Sequence, residues 1–117
     1  MDLLIRPATG PLRGSATPPG DKSVSHRAAI LGGLATGTTT IEGFLQADDT
    51  RATLAAMAAL GAEVEESGSR VTLRGGRLHA PSAPLDLGNS GTGMRLLTGA
   101  LAGETRLLGA TIRLVGD

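Results

Sequence analysis

Apolar residues recur every three or four positions in three stretches of the chain, and this spacing predicts three amphipathic helices. The first helix opens at Ser23 and ends before Gly37, the second opens at "DDT" and stops at Gly61, and the third follows "GNSG" and runs to about Gly103. An aspartate of "DDT" is the predicted cap of the second helix. The residues predicted to face inward are Val24, Ala28, Leu31 and Ala35, flanked by Ile30 and Leu34, in the first helix, and Leu54, Met57, Ala58 and Leu60 in the second.

Alternating and β-branched segments between these helices predict short strands. "TTTIEG" predicts a strand that ends at Gly43, and "AEVEESGSRVTLRG" predicts a β-hairpin that turns at "SGS". A short strand is expected around Leu85–Leu87, and "TRLLGATIRLVG" supplies one or two more. Before the first helix, Leu3–Ile5 and Leu12–Ala16 form short extended pieces separated by the turn signal "PATGP". This mixture of helices and short strands predicts an α+β fold.

Two segments of the chain share one plan, which indicates an internal repeat. "GDKSVSHRAAILGGLATGTTTIEG" and "GNSGTGMRLLTGALAGETRLLG" each contain a glycine-rich helix start, an arginine, a glycine stop and a predicted strand that ends in glycine. Gly20 matches Gly88, and Arg27 matches Arg95, at an offset of 68 residues. This similarity predicts duplicated β-α-β units, with both glycine-rich helix starts on one side of the sheet against which the helices pack.

Composition narrows the class of protein further. The length of 117 residues favours one domain, and a single phenylalanine means that the core is built from aliphatic side chains. The 11 basic and 11 acidic residues balance, whereas a general nucleic-acid binder carries a basic excess. The absence of cysteine excludes disulfides and thiolate zinc sites. No apolar run is long enough for a bilayer, and "MDLLIRPATG" is too short and polar for a signal peptide, so a soluble cytoplasmic protein is expected.

Polar and basic residues are concentrated in "PGDKSVSHR", at the start of the first predicted helix. A helix start offers unpaired backbone amides and partial positive charge, which suit an anion such as phosphate. Lys22 and Arg27 add full charges, Ser23 lies on the same face as Arg27, and Ser25 adds a further donor. The spacing differs from that of a nucleotide P-loop. A plain N-cap with solvated surface charges remains the alternative to an anion site.

The third helix start, "GNSGTGMR", raises the same pair of interpretations. Asn89 or Ser90 can cap the helix, while Gly91 and Gly93 allow a ligand or another backbone to approach closely. The alternative is a turn whose glycines serve only helix packing.

The remaining polar residues give weaker signals. The two histidines have no carboxylates at metal-ligand spacing, so no metal site is predicted, and His26 is interpreted as a hydrogen-bonded structural residue. "DDTR" could bring an acid close to Lys22, but helix capping and complementarity to the helix dipole are the favoured explanation for Asp48 and Asp49.

Three motifs in order, "PGDKSVSHRA", "DDTRATLAAMAALGAEVE" and "LDLGNSGTGMRLLTGALAG", resemble the N-terminal part of the 5-enolpyruvylshikimate-3-phosphate (EPSP) synthases. The resemblance implies transfer of the enolpyruvyl group of phosphoenolpyruvate to shikimate 3-phosphate, without metal or organic cofactor. It implies that Lys22 contacts both substrates, that Ser23 and Arg27 bind shikimate 3-phosphate, and that Gly91 lies beside phosphoenolpyruvate, where the inhibitor glyphosate also binds. The implied supporting residues are Asp49, Asn89, Ser90 and Arg95.

The resemblance also bears on the domain organisation. Members of this family are much longer and have two domains of repeated β-α-β-α-β-β units, so the sequence corresponds to an incomplete domain. Residues 1–19 would belong to the other domain and residues 20–117 to part of the N-terminal substrate-binding domain. The later arginines and the proton-transferring aspartate of the family lie outside this sequence. The chain alone is therefore expected to be inactive, and a complementary C-terminal chain is a candidate partner.

Two alternatives remain open at this point. The sister family of UDP-N-acetylglucosamine enolpyruvyl transferases has an asparagine after the lysine, where this chain has Ser23. The other alternative is a non-catalytic binding or assembly module, in which the glycine-rich helix starts would be packing devices.

Overall fold

Three α-helices and five short strands follow one another in the computed structural model, which describes residues 1–117. The helices are α1 (Lys22–Leu34), α2 (Asp48–Ala59) and α3 (Gly91–Ala102), and they confirm the three predicted helices. The strands are β1 (Gly37–Ile41), β2 (Glu63–Ser67), β3 (Arg70–Gly75), β4 (Leu85–Asp86) and β5 (Leu114–Val115). None of the helices is both long enough and apolar enough to cross a membrane.

The strands form two small sheets. β1, β3 and β2 make an antiparallel sheet in that order, and the β2–β3 hairpin turns at Gly68, whose φ of 58° suits glycine. β4 and β5 pair in parallel, so β4, α3 and β5 form one complete β-α-β unit. Helices packed on short sheets confirm the predicted α+β class, with one sheet purely antiparallel and the other parallel.

The second copy of the repeat departs from the prediction after α3. "TRLLG" was expected to form a strand, but Thr105–Leu107 form a 3₁₀ turn, and the strand of this copy is β5. The side chain of Glu104 explains the difference, because it accepts a hydrogen bond from the Arg106 amide at 3.0 Å and turns the chain there. Leu107 is buried beneath this turn.

The buried face of α1 is not the predicted one. Val24 and Leu31 were expected to face inward, yet they are 53% and 66% exposed. The helix instead buries Ser25, His26, Ala29, Ile30, Gly32 and Gly33. This face packs inward because its small residues allow α1 and α2 to approach closely. A Cβ on Gly33 would collide with the Met57 side chain of α2. In α2 the prediction holds for Leu54, Met57 and Leu60, but Ala56 is buried in place of Ala58.

The caps of α1 and α2 also differ from the prediction. Asp21 caps α1, with its carboxylate accepting a hydrogen bond from the Val24 amide at 2.7 Å. At the start of α2 the N-cap position is Ala47, whose amide donates to the Thr50 hydroxyl at 3.1 Å. Asp48 and Asp49 therefore lie in the first turn of α2 rather than at its cap, and Asp49 Oδ1 accepts from the Thr50 amide at 3.1 Å.

The first part of the chain has neither helix nor strand. Residues 1–21 contain no ladder hydrogen bonds, so the pieces Leu3–Ile5 and Leu12–Ala16 do not form paired strands within this chain. An extended segment becomes a strand only when a neighbour pairs with it, and no neighbour is available here. Four large apolar side chains of this part remain exposed: Leu3, Leu4, Ile5 and Leu12.

Candidate functional site

The starts of all three helices lie at the same end of the fold. An ion pair joins α1 to α2, because Lys22 Nζ lies 3.1 Å from Asp49 Oδ2. A shallow cleft then separates the start of α2 from the start of α3, and it is lined by Asp48, Asp49, Leu87, Gly88 and Asn89. This arrangement confirms that both glycine-rich helix starts lie on one side.

The Lys22–Asp49 ion pair holds a charged amine at the edge of this cleft. The Lys22 side chain is 53% exposed and the Asp49 side chain 20% exposed, so the ammonium stays accessible while the carboxylate is largely covered. Partial burial by itself would raise the pKa of the Asp49 carboxyl. The hydrogen bond and charge of Lys22, with smaller contributions from His26 and the Thr50 amide, outweigh burial and lower that pKa. Asp49 is not the cap of α2, but its place in the first turn agrees with the predicted complementarity to the helix dipole, and its carboxylate also contacts Lys22.

His26 lies directly behind this ion pair and is completely buried. Its Nδ1 is hydrogen-bonded to the Thr53 hydroxyl at 2.8 Å, which confirms the prediction of a hydrogen-bonded structural histidine. Its Nε2 faces Asp49 Oδ2 at 3.8 Å and has no hydrogen-bond partner. Burial is the largest cause acting on the pKa of His26 and lowers it, although the Asp49 carboxylate opposes that effect, so the fold favours the neutral imidazole.

Two residues of "PGDKSVSHR" prove to be structural. The Ser25 hydroxyl is buried, donates to the Asp21 carbonyl at 2.7 Å and accepts from the Leu45 amide at 3.0 Å, so it is not a free donor for an anion. A Cβ on Gly20 would collide with the Gly43 carbonyl oxygen, so this glycine allows two backbones to meet.

The side chains left for an anion at this helix start are Lys22, Ser23 and Arg27. Ser23 is partly exposed and Arg27 is exposed, and Arg27 takes part in none of the ion pairs of the structure. The helix end itself is less attractive to an anion than predicted, because the Asp21 carboxylate already occupies the capping position. Binding here would therefore depend on side chains more than on backbone amides.

The start of α3 is built differently. Ser90 is buried and accepts from the Gly93 amide at 3.1 Å, so Ser90 rather than Asn89 is the cap. Gly93 is tightly enclosed, because a Cβ there would lie 2.8 Å from both the Ser90 and Thr53 hydroxyls. A Cβ on Gly91 would meet only the end of the flexible Arg95 side chain, at 2.8 Å.

These contacts divide the sequence-predicted residues into groups. Lys22 and Asp49 are in direct contact, and Asn89 lies across the same cleft as Asp49. Arg27 and Arg95 are exposed and take part in no ion pair, and Asn89 and Gly91 are exposed as well. Sequence reasoning missed Thr53, which links His26 of α1 to α2. Its position four residues after Asp49, on the same helix face, was the available signal.

Comparison with known proteins identifies the family. The profile of EPSP synthase (3-phosphoshikimate 1-carboxyvinyltransferase) matches residues 7–117. The chain belongs to the EPSP synthase family. The 3-phosphoshikimate 1-carboxyvinyltransferase of Methylococcus capsulatus is 54% identical over 99 residues, which cover 81% of this chain and 23% of that relative. The enzyme of the same name from Maricaulis maris is 50% identical over 118 residues, covering 98% of this chain and 25% of the relative.

The fold agrees with this assignment. The EPSP synthase of Acinetobacter baumannii superposes with a TM-score of 0.79 at 42% identity, over 89% of this chain and 24% of that structure. The chain thus spans about a quarter of the length of the relatives it matches. These relatives carry the names of the EPSP synthases and not of the UDP-N-acetylglucosamine enolpyruvyl transferases, the alternative from the sequence.

Proposed function

We propose that this chain is the N-terminal part of a 3-phosphoshikimate 1-carboxyvinyltransferase. The reaction transfers the enolpyruvyl group of phosphoenolpyruvate to the 5-hydroxyl of shikimate 3-phosphate and releases phosphate. Membership of the family supports the reaction. We place the reaction at the helix starts because the half-exposed Lys22 ammonium lies there, 3.1 Å from Asp49 and at the edge of a cleft.

Lys22 is the proposed catalytic residue of this part. A fixed cation beside the cleft stabilises negative charge that develops as the tetrahedral adduct forms and phosphate leaves. Before substrate binds, the ion pair with Asp49 holds the ammonium at the edge of the cleft, and more than half of the lysine side chain remains exposed. An ammonium held there in advance needs little rearrangement to meet the charge that develops in the transition state.

Ser23 and Arg27 are the proposed ligands of shikimate 3-phosphate. Arg27 is exposed and lies four residues after Ser23, so both side chains lie on one face of α1. A guanidinium offers a planar fork of donors, which suits a carboxylate or phosphate group. Neither side chain is required for the internal packing of the chain, which leaves both available to a ligand.

Gly91 is the proposed neighbour of phosphoenolpyruvate and of glyphosate. Its Cβ position is open except for the end of Arg95, so a ligand could approach the backbone there. Asn89 and Arg95 would support the same region from its exposed side. Ser90, which is buried, would act by holding the helix start in shape. The proposed reaction uses neither metal nor organic cofactor.

The proposal includes a division of the chain between two domains. Residues 1–19 would pair with strands of the other domain, and residues 20–117 would form part of the substrate-binding domain. The absence of strand pairing in residues 1–21 and the exposed leucines of this part support that division. A C-terminal chain that supplies the rest of the enzyme is the proposed partner, and the cytoplasm is the proposed location.

A chimera tests the function directly. Residues 1–117 are fused to the remaining three quarters of the Methylococcus capsulatus relative, and phosphate release is measured with both substrates. We expect activity in the chimera, none in the 117-residue chain alone, and growth of a synthase-deficient strain without aromatic amino acids. The same chimera carrying Lys22→Ala is the matched control. A folded chimera that neither turns over nor binds shikimate 3-phosphate would favour the non-catalytic module instead.

A further inference from the structure

One buried polar atom of the chain has no hydrogen-bond partner, and it lies beside the Lys22–Asp49 ion pair. His26 Nε2 is completely enclosed, and the carboxylate oxygen Asp49 Oδ2 lies 3.8 Å from it. This separation is too long for a hydrogen bond. Buried polar groups in proteins are nearly always paired, so an unpaired ring nitrogen aimed at a carboxylate calls for an explanation.

The contacts with Thr53 and Asp49 indicate which nitrogen of His26 carries the proton. This hydroxyl has one proton to donate, and two acceptors are in reach: His26 Nδ1 at 2.8 Å and the Asp49 carbonyl at 3.4 Å. The 2.8 Å contact fits either direction, but the Asp49 carboxylate 3.8 Å from Nε2 favours a proton on Nε2, and the Thr53 hydroxyl then donates to Nδ1. A neutral imidazole that accepts at Nδ1 carries its proton on Nε2. His26 therefore presents a fixed N–H donor to Asp49.

Two donors thus lie close to Asp49 Oδ2. Lys22 Nζ is 3.1 Å from it, and Nε2 of His26 is 3.8 Å from it. A shift of the carboxylate by about 1 Å would bring it within hydrogen-bond distance of His26. The Asp49 side chain can make this movement because its Oδ1 is anchored only by the neighbouring Thr50 amide.

We propose that the Asp49 carboxylate has two positions, one bonded to Lys22 and the other bonded to the Nε2–H of His26. When the Lys22 ammonium turns toward an anionic substrate, Asp49 moves onto His26 and its negative charge stays paired with a donor. This last step rests on the proposed function, whereas the two positions themselves do not. His26 and Thr53 are then positioning residues, which allow Lys22 to release its partner without leaving a buried carboxylate unsatisfied.

The first test is the tautomer of His26, measured by long-range ¹H–¹⁵N NMR on the 117-residue chain at pH 7. We expect the proton on Nε2 and an unprotonated Nδ1. Thr53→Val removes the donor to Nδ1 and should weaken this preference, while Thr53→Ser should keep it. Thr50→Val is the control, because Thr50 is an equally buried threonine of α2 that does not contact His26. A proton on Nδ1 in the unchanged chain would overturn the proposal.

The second test removes the competing donor. In Lys22→Met the Asp49 carboxylate loses its partner, so it should close on His26, and the Hε2 resonance should move downfield as that hydrogen bond shortens. Arg27→Met, which removes a cation from the same helix that does not contact Asp49, should leave the resonance in place. An unchanged Hε2 shift in Lys22→Met would overturn the proposal. Neither measurement requires turnover, so an inactive chimera would refute the proposed function and leave this inference to be judged separately.

Discussion

The starts of α1 and α3 come from matching segments of the sequence, yet they are built for different tasks. At α1 a charged cap, an ion pair and a buried histidine form a polar network around Lys22. At α3 the cap is a buried, uncharged serine, and Gly91 leaves the helix start open. The start of α1 therefore presents the Lys22 cation, whereas the start of α3 leaves open space beside Gly91. Two segments with similar residue spacing thus present different chemical groups.

The two starts are connected through α2. Thr53 contacts His26 of α1, and its hydroxyl also lies against the Cβ position of Gly93 in α3. Asp49, one turn earlier in α2, contacts Lys22. The comparison thus predicts that substitutions at the start of α1 mainly alter charge and catalytic activity. Substitutions at the start of α3 should mainly alter packing and the space open to a ligand.

The largest expected effect is that of Lys22→Ala in the active chimera. Loss of a preorganised electrostatic contact should reduce kcat/KM by the equivalent of about 3 to 4 kcal/mol. The urea midpoint of unfolding should change little, since the Lys22 side chain is half-exposed. Steady-state kinetics and urea unfolding check the two parts. Arg70→Ala, which breaks an exposed ion pair with Glu42 far from the cleft, is the control and should keep full activity.

The second effect distinguishes the two glycines at the start of α3, Gly91 and Gly93. Gly93→Ala should lower the free energy of unfolding by about 1 to 3 kcal/mol, because its Cβ would press on the Ser90 and Thr53 hydroxyls. Gly91→Ala should be close to neutral, since only the end of Arg95 has to move. Urea unfolding of both variants is the measurement. Equal destabilisation by the two alanines would contradict the distinction between a packed and an open glycine.

A third effect concerns inhibition of the chimera. The methyl group of Gly91→Ala would enter the space proposed for phosphoenolpyruvate, and the bulkier glyphosate should suffer more than the substrate. We expect the glyphosate inhibition constant to rise by about tenfold, the equivalent of about 1.4 kcal/mol, with a smaller rise in KM for phosphoenolpyruvate. Inhibition kinetics with Gly99→Ala as control test this, because Gly99 is open and lies two turns farther along α3. An unchanged constant would mean that Gly91 does not border the site.

The smallest expected effect is the pH dependence of stability, which should come from His26 of α1 and Asp49 of α2, around Lys22, and not from α3. His26 and Asp49 both have lower pKa values in the folded chain, so the unfolded chain binds more protons and stability falls on acidification. The His26 contribution is complete above its ordinary pKa of 6.5 and is lost as the pH falls through the lower folded value. The Asp49 contribution is complete above 3.8 and is lost below it in the same way.

Urea unfolding at a series of pH values resolves these two contributions. His26→Gln should remove the loss that begins near pH 6.5, and Asp49→Asn should remove the loss below pH 3.8. Ser90→Ala should lower stability equally at every pH, because the cap of α3 does not titrate. A pH profile that Ser90→Ala alters and His26→Gln does not would reverse the comparison between the two helix starts.

Local patterns in the sequence were sufficient for the elements of the fold. The spacing of apolar residues located all three helices, and alternation on both sides of "SGS" located the β2–β3 hairpin. These features follow from interactions between residues that are close in sequence, which a pattern can represent. The motifs also contained Lys22 and Gly91, although the pattern alone left packing and anion binding as equal interpretations.

Only the tertiary structure decided which groups meet. Gly32 and Gly33 lie on the buried face of α1, where their lack of a side chain lets neighbouring residues pack closely. A hydropathy pattern does not detect this face, because glycine has no apolar side chain to bury. The Lys22–Asp49 contact and the burial of His26 against Thr53 depend on how α1 packs on α2. That packing brings together residues that are 27 positions apart, such as His26 and Thr53. The pKa shifts and hydrogen bonds at the site result from these contacts, and a local sequence pattern does not contain them.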